Sequence, residues 1–125
     1  KEEVSRPAER KKAREEKHVF GNIELFRFSS VVFNSHRIHY DLQYARNVEG
    51  YSELVVNGSL STLFLCEFAR KAMGWNLKKV RTRNLAPLFA NSSIVLCAGY
   101  AKERPALWVE NEHGSPSVEI DVLEY

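Results

Sequence analysis

The sequence predicts an α+β fold in which one long apolar helix packs against an antiparallel sheet. Apolar residues recur near the helical period across residues 59–73, between Gly58 and Gly74. Later come two apolar segments, residues 107–110 and 117–123, separated by a turn that contains Gly114, as in a β-hairpin. A helix followed by hairpin-connected strands is typical of α+β domains.

The composition predicts one domain with a nearly neutral body. At 125 residues, 44 % of them hydrophobic, the chain is long enough for one core and too short for two ordinary domains. Residues 1–17 hold seven of the 18 Lys and Arg residues and five of the 16 Asp and Glu residues, which leaves eleven of each sign for the rest. A neutral body lacks the basic face of a nucleic-acid binder.

The first 18 residues are expected to be a charged linker or tail, and residues 19–125 to be the folded domain. The tail has almost no apolar side chain to bury. Because the chain has neither a bilayer-spanning apolar run nor a secretory signal, we expect a soluble protein of the cytoplasm, or of the mitochondrion in a eukaryote. Cys66 and Cys97 lie among apolar neighbours, which indicates two buried, reduced thiols.

Local patterns predict the remaining elements. Residues 19–32 are rich in β-branched and aromatic side chains, which favours a strand. Residues 42–51 are expected to form a short helix and a loop, and residues 78–84 and 93–100 are expected to be strands.

Residues 33–41 concentrate proton-handling groups around His39, which follows Asn34 by five positions and precedes Asp41 by two. An imidazole exchanges protons near neutral pH. Gly58 begins the long helix, and free N–H groups at a helix start stabilise a developing oxyanion. The two features together indicate acid–base chemistry beside a polarised carbonyl.

Several short segments resemble one known family. They resemble the MaoC-like hydratases, which have the hotdog fold, and within them the branch of hydroxyacyl-thioester dehydratase type 2 and of mesaconyl-CoA or itaconyl-CoA hydratase. The resemblance covers residues 19–125 in order and is carried by LFRFS at 25–29, FNSHRIHYD at 33–41, YAR at 44–46, EGY at 49–51, LVVNGSL at 54–60 and LAPLF at 85–89.

The resemblance implies catalytic roles for three residues. In the wider family of (R)-specific hydratases, an Asp and a His bind and activate water, and a Gly N–H at the central helix holds the thioester oxygen. Those positions fall on Asn34, His39 and Gly58 of this chain. Since an amide is not a general acid, Asn34 would hold the water while His39 carries the proton. The family usually reads His-Gly-Pro where this chain has Asn57, Gly58 and Ser59, so Asn57 or Ser59 is expected to cap the helix.

Further residues are expected around the substrate. Arg37 is expected to meet a phosphate of a coenzyme A or phosphopantetheine arm, its alternative being a solvated surface charge. Asp41 either fixes the His39 tautomer or forms a turn or surface ion pair. No metal is expected, because His36 and His39 with Asp41 lack further ligands at a suitable spacing. The other substrate contacts are expected from Asn57, Ser59 and Leu60.

The resemblance implies reversible hydration of 2-enoyl thioesters, or dehydration of 3-hydroxyacyl thioesters, carried by coenzyme A or an acyl-carrier protein. No metal or redox cofactor is needed. The expected partner is a second hotdog unit, in a homodimer or as the other half of a longer chain. A non-catalytic hotdog module, for dimer completion or acyl-thioester binding, stays open as an alternative, and a hotdog thioesterase is the third candidate.

Overall fold

The computed structural model describes residues 10–125. Within this range the chain forms a sheet of five strands, three α-helices and one 3₁₀ turn. In chain order these are β1 (Arg10–Val19), α1 (Asn22–Val31), the 3₁₀ turn (Arg37–His39), α2 (Leu42–Asn47), α3 (Gly58–Met73), β2 (Lys79–Asn84), β3 (Ser93–Ala101), β4 (Arg104–Glu110) and β5 (Pro116–Glu124).

The sheet is antiparallel throughout, in the order β1-β3-β4-β5-β2. Its inner face packs against α3, so the predicted arrangement of one helix on an antiparallel sheet is confirmed. Buried apolar side chains of both elements make the core, which includes Leu65, Phe68, Leu96, Leu107 and Ile120.

The bounds of α3 agree with the prediction. Asn57 is the N-terminal capping residue, in an extended conformation, and Gly74 ends the helix with φ at 73°. A left-handed conformation of this kind favours glycine, because a Cβ would be strained there. The Gly74 N–H donates to the Arg70 carbonyl oxygen at 3.2 Å. The predicted short helix and the predicted β4–β5 hairpin are also present.

The prediction of a strand across residues 19–32 is wrong, because most of this segment is α1. Only two residues of α1, Leu25 and Ser29, are buried, and they lie four positions apart on one helix face. At the start of α1 the Gly21 N–H donates to the Glu24 side chain at 3.4 Å. The exposed aromatic and β-branched side chains of α1, such as Phe26 and Ile23, carry β propensity without being packed in a sheet.

The expectation of a charged linker or tail is also wrong for residues 10–18, which belong to β1. This strand pairs with β3 from Arg10 to Val19, with a register shift between Lys12 and Arg14. Its side chains are mostly exposed, so backbone hydrogen bonds hold it, as is usual for a charged edge strand. The remainder of the predicted tail, residues 1–9, lies outside the described residues.

The two cysteines differ in burial. Cys97 is buried and Cys66 only half-buried, and both are free thiols, so the expectation of two buried thiols holds fully for Cys97 alone. Among residues 10–125, no helix has the length and apolar character needed to cross a bilayer.

Candidate active site

The backbone of Val55 fixes the 3₁₀ turn that carries His39. The Val55 N–H donates to the Ile38 carbonyl oxygen at 2.9 Å, and the Val55 carbonyl oxygen lies 2.7 Å from His39 Nδ1. The next residue, Val56, donates through its N–H to the Leu88 carbonyl oxygen at 2.8 Å. The Val55 carbonyl oxygen therefore holds the imidazole, and main-chain hydrogen bonds fix the segment that carries this oxygen.

This contact fixes the tautomer of His39. Because a carbonyl oxygen only accepts hydrogen bonds, Nδ1 must carry the proton. Nε2 of the neutral ring then keeps its lone pair and is free to act as a base. Burial lowers the pKa of His39 below its usual value, and the neighbouring His36 adds to the effect, while the Val55 carbonyl oxygen works in the opposite direction. The ring is therefore neutral at pH 7.

His39 and Gly58 line the same cavity, which has a volume of about 350 Å³. Gly58 begins α3, and within the described part of the chain its N–H has no hydrogen-bond acceptor. The Ser61 hydroxyl, which also lines the cavity, donates to the Gly58 carbonyl oxygen at 2.9 Å. The cavity thus combines a base with the positive end of a 16-residue helix.

Asn84 is a cavity residue that the sequence analysis missed. It ends β2 and lies against Gly58, so that a Cβ added at Gly58 would be 3.1 Å from Asn84 Nδ2. The two residues meet because the sheet order places the end of β2 beside the start of α3. No local motif marks Asn84 in the sequence, since the contact arises only from the tertiary fold.

Asn34 lines a different depression from His39. It lies beside α1 with Phe26, Ser29 and Tyr40, in a hollow of about 290 Å³. The Asn34 Oδ1 atom accepts a hydrogen bond from the His36 N–H at 3.0 Å, which forms a local turn. The structure therefore does not bring the Asn34 amide to the cavity that His39 and Gly58 share.

Asn57, Ser59 and Leu60 surround the helix start but do not line this cavity. Asn57 is 1 % exposed, and its side chain makes no capping hydrogen bond; its Nδ2 atom points to the Ser29 hydroxyl at 3.4 Å. Ser59 is exposed on the first turn, and Leu60 packs in the main core. The expected capping role of the Asn57 or Ser59 side chain is not observed.

Arg37 and Asp41 bind each other. Arg37 Nη2 lies 2.8 Å from Asp41 Oδ2, and its guanidinium lies over the Tyr44 ring at 4.3 Å. Asp41 also caps α2 by accepting a hydrogen bond from the Tyr44 N–H at 3.1 Å. Asp41 therefore forms the turn and ion pair that the sequence left open, whereas the Val55 carbonyl oxygen sets the His39 tautomer.

A sequence profile described as hydroxyacyl-thioester dehydratase type 2 matches residues 1–90 of this chain. The chain belongs to this family. Since the match begins before residue 10, it includes β1, in agreement with the place of that strand in the sheet. The 3₁₀ turn with His39 and the start of α3 also lie within the matched range.

Two curated relatives of this dehydratase-family chain are similar in sequence. Mesaconyl-C(4)-CoA hydratase of Chloroflexus aurantiacus is 39 % identical over 98 residues, which are 78 % of this chain and 35 % of the relative. Mitochondrial hydroxyacyl-thioester dehydratase type 2 of Schizosaccharomyces pombe is 34 % identical over 91 residues, which are 70 % of this chain and 29 % of the relative. The chain therefore spans about a third of the length of these relatives.

Solved structures identify the fold of this dehydratase-family chain as the hotdog fold. The (R)-hydratase of A. caviae has a TM-score of 0.75 at 12 % identity, with 94 % of this chain and 93 % of that chain covered. A MaoC-like dehydratase from Phytophthora capsici has a TM-score of 0.74 at 15 % identity, with 98 % of this chain but 45 % of that chain covered. The α+β architecture and the predicted hotdog fold are thus confirmed.

Proposed function

We propose that this chain carries the catalytic groups for reversible hydration of 2-enoyl thioesters, or for dehydration of 3-hydroxyacyl thioesters. The observation that carries the proposal is the cavity shared by the His39 ring and the start of α3 at Gly58. The reaction needs a base for water and a donor for the carbonyl oxygen. The names of the two curated relatives, a hydratase and a dehydratase, support the same class of reaction.

In the proposed hydration, His39 Nε2 takes a proton from water while the water oxygen bonds to the β-carbon of the enoyl thioester. The electron pair of the double bond moves to the thioester oxygen, which accepts a hydrogen bond from the Gly58 N–H. The imidazolium then returns its proton to the α-carbon, so that one water is added in total. Dehydration is the reverse sequence, and neither direction requires a metal or redox cofactor.

The role proposed for Asn34 changes in view of the structure. Its amide lies outside the cavity, with Oδ1 engaged by the His36 N–H. Asn84 is the amide that lines the cavity beside Gly58. We therefore assign the orientation of water or of the thioester to Asn84, and we assign Asn34 to the turn that shapes the His39 segment.

The partner proposed is an acyl thioester of coenzyme A or of an acyl-carrier protein, together with a second hotdog unit. The cavity borders Asn84, at the end of strand β2, and β2 is an outer strand of the sheet. An outer strand offers unpaired backbone groups to a further strand. Light scattering after size exclusion tests this proposal, because a monomer with full activity would contradict it.

The activity test uses crotonyl-CoA and mesaconyl-CoA. We expect loss of the enoyl absorbance and a product heavier by one water. His39→Gln should lower turnover by about 10²-fold or more. His36→Gln is the matched control, because His36 does not line the cavity although its ring lies 5.6 Å from that of His39. Unchanged turnover in the folded His39→Gln protein would contradict the assignment.

A non-catalytic module is the second candidate, and Asn34 favours it. The family position that carries an Asp holds an amide in this chain, and that amide lies outside the cavity. Such a module would bind the thioester and leave it unchanged. A thioesterase would release free thiol, but among the residues that the structure describes no Asp or Glu lines the cavity to activate water. Product analysis therefore separates the three classes.

A further inference from the structure

The face of the sheet turned away from α3 carries a second cavity, of about 360 Å³. We call it the outer-face cavity. Five cationic and two anionic side chains line it, which gives an excess of three positive charges. The whole chain has a formal net charge of +2, so this cavity concentrates positive charge well above the average of the molecule. The cations are Arg10, Arg81, Arg83, Lys102 and Arg104, and the anions are Glu119 and Asp121.

The strand register builds this cavity. Asp121 pairs with Arg81 of β2 on one side and with Ala106 of β4 on the other. Glu119 pairs in the same way with Arg83 and with Trp108. Residues that lie opposite each other on neighbouring strands share one face of the sheet. Ala106 is the small member of the set, so the surface is hollow there and the charged side chains stand around it.

Two of the cations already have carboxylate partners. Glu119 is 5 % exposed and accepts hydrogen bonds from Arg10 and from Arg83. Asp121 accepts a hydrogen bond from Arg83 at 2.9 Å. Both carboxylates are therefore used by Arg10 and Arg83, and they offer little to a third cation.

The other three cations have no such partner. Among residues 10–125, no carboxylate lies within 4.0 Å of the charged ends of Arg81, Lys102 or Arg104. All three side chains belong to exposed residues. Burial lowers the pKa of Arg10, and the positive charge of Arg83 lowers it further, so the cations of this cavity repel each other. An anion placed between them would relieve this repulsion.

We propose that the outer-face cavity binds a small anion that carries at least two phosphate groups. Arginine guanidinium groups match phosphate oxygens in a bidentate geometry. Arg81 of β2 and Arg104 of β4 lie on either side of β5 and both line the cavity. Three uncompensated cations fit a diphosphate better than a single carboxylate, because a diphosphate carries more charge. The site is distinct from the His39 cavity and does not depend on the proposed reaction.

Isothermal titration with inorganic diphosphate tests the proposal. We expect saturable binding that weakens with added salt, because salt screens charge interactions. Arg81→Gln and Arg104→Gln should each weaken binding about tenfold, as the loss of a charge-assisted contact does. The matched control is Arg27→Gln, which removes an exposed arginine from α1 and should leave the affinity unchanged.

Asp121→Asn provides a test of opposite sign. Asp121 lines the cavity and competes with an anion for Arg83, so its neutralisation should tighten diphosphate binding severalfold. If this charge cluster has only a structural role, Asp121→Asn should not increase the affinity for diphosphate. Absence of diphosphate binding to the wild-type protein, or equal affinity in Arg81→Gln, Arg104→Gln and Arg27→Gln proteins that melt alike, would overturn the proposal.

A second titration identifies the source of the phosphate. If 3′-phosphoadenosine 5′-diphosphate binds at least tenfold more tightly than inorganic diphosphate, the site serves the nucleotide part of a ligand. If the two bind equally, it serves free phosphate compounds. Either result supports the site, whereas failure of both probes to bind overturns it. The His39→Gln protein should bind both probes normally, so loss of hydratase activity and loss of this site are separable.

Discussion

His39 Nδ1 lies 2.7 Å from the carbonyl oxygen of Val55, three residues before α3 begins at Gly58. One peptide segment thus holds the imidazole and leads directly into the helix start. The distance between the base and the helix N–H groups is therefore set by backbone geometry. Since backbone groups do not vary with the side chain at position 55, substitution of Val55 should leave the tautomer of His39 intact.

The pH profile of turnover should have an acidic limb that reports His39. Burial lowers the pKa of this ring below the usual 6.5, and only the neutral ring acts as a base. We expect kcat/KM for hydration to stay level down to about pH 6.5 and to fall below it. A profile of crotonyl-CoA hydration from pH 5 to 8 checks this, and a midpoint above 6.5 would contradict the direction of the shift.

The same shift affects stability. Between the folded and the unfolded pKa of His39, the unfolded chain binds more protons, so stability rises with pH in this window. The contribution is present above pH 6.5 and is lost as the pH falls through the folded pKa. Urea unfolding at several pH values should show a weaker acid dependence in His39→Gln than in the wild-type protein.

Gly58→Ala should reduce turnover by crowding Asn84. The added Cβ would lie 3.1 Å from Asn84 Nδ2, so the amide must move within the cavity. We expect a loss of roughly tenfold or more in kcat, since small displacements of positioned groups are costly. The double variant Gly58→Ala/Asn84→Ala serves as the control. If Gly58→Ala lowers turnover by displacing the Asn84 amide, adding Asn84→Ala to it should cause little further loss of activity.

Gly99→Ala should detach β1 from the sheet. A Cβ at this position would lie 2.0 Å from the Lys11 carbonyl oxygen, and backbone cannot yield as a flexible side chain does. We expect a loss of about 3 kcal/mol or more in unfolding free energy, measured by urea denaturation. Gly21→Ala is the control, because a Cβ there meets nothing within 4 Å. A cost below about 1 kcal/mol at both positions would contradict the close approach of β1 and β3.

Cys97 should resist alkylation in the folded protein. Burial, with a further contribution from Glu110, raises the pKa of its thiol to about 12, and only the thiolate reacts. We expect iodoacetamide at pH 8 to leave Cys97 unmodified in a Cys66→Ser variant and to modify it once urea unfolds the chain. Intact mass measures this, and rapid labelling of the folded variant would show that the thiol is accessible.

The sequence pattern was sufficient where side chains decide the structure. The helix α3 and the β4–β5 hairpin were predicted because their apolar residues are buried at the matching period. The strand β1 was missed because backbone pairing holds it while its side chains face solvent. The helix α1 was missed because exposed residues such as Phe26 resemble strand residues when the chain is read alone.

The candidate site was predictable to the extent that it is local in sequence. His39 and Gly58 were selected from short motifs, and both line one cavity. The contact between Gly58 and Asn84 depends on the strand order, which no motif encodes. For Asn34 the motif predicts a place in the cavity, and this prediction is wrong. A local turn instead directs the Asn34 Oδ1 atom to the His36 N–H.

The position of β1 at one end of the sheet bears on synthesis of the protein. Its hydrogen-bond partner, β3, ends only at Ala101. The ribosome must therefore synthesise the chain through β3 before β1 can pair. During that interval the apolar face of α3, with Leu65 and Phe68, has no sheet to cover it. Such a nascent chain is exposed to aggregation and to proteases until its later strands emerge.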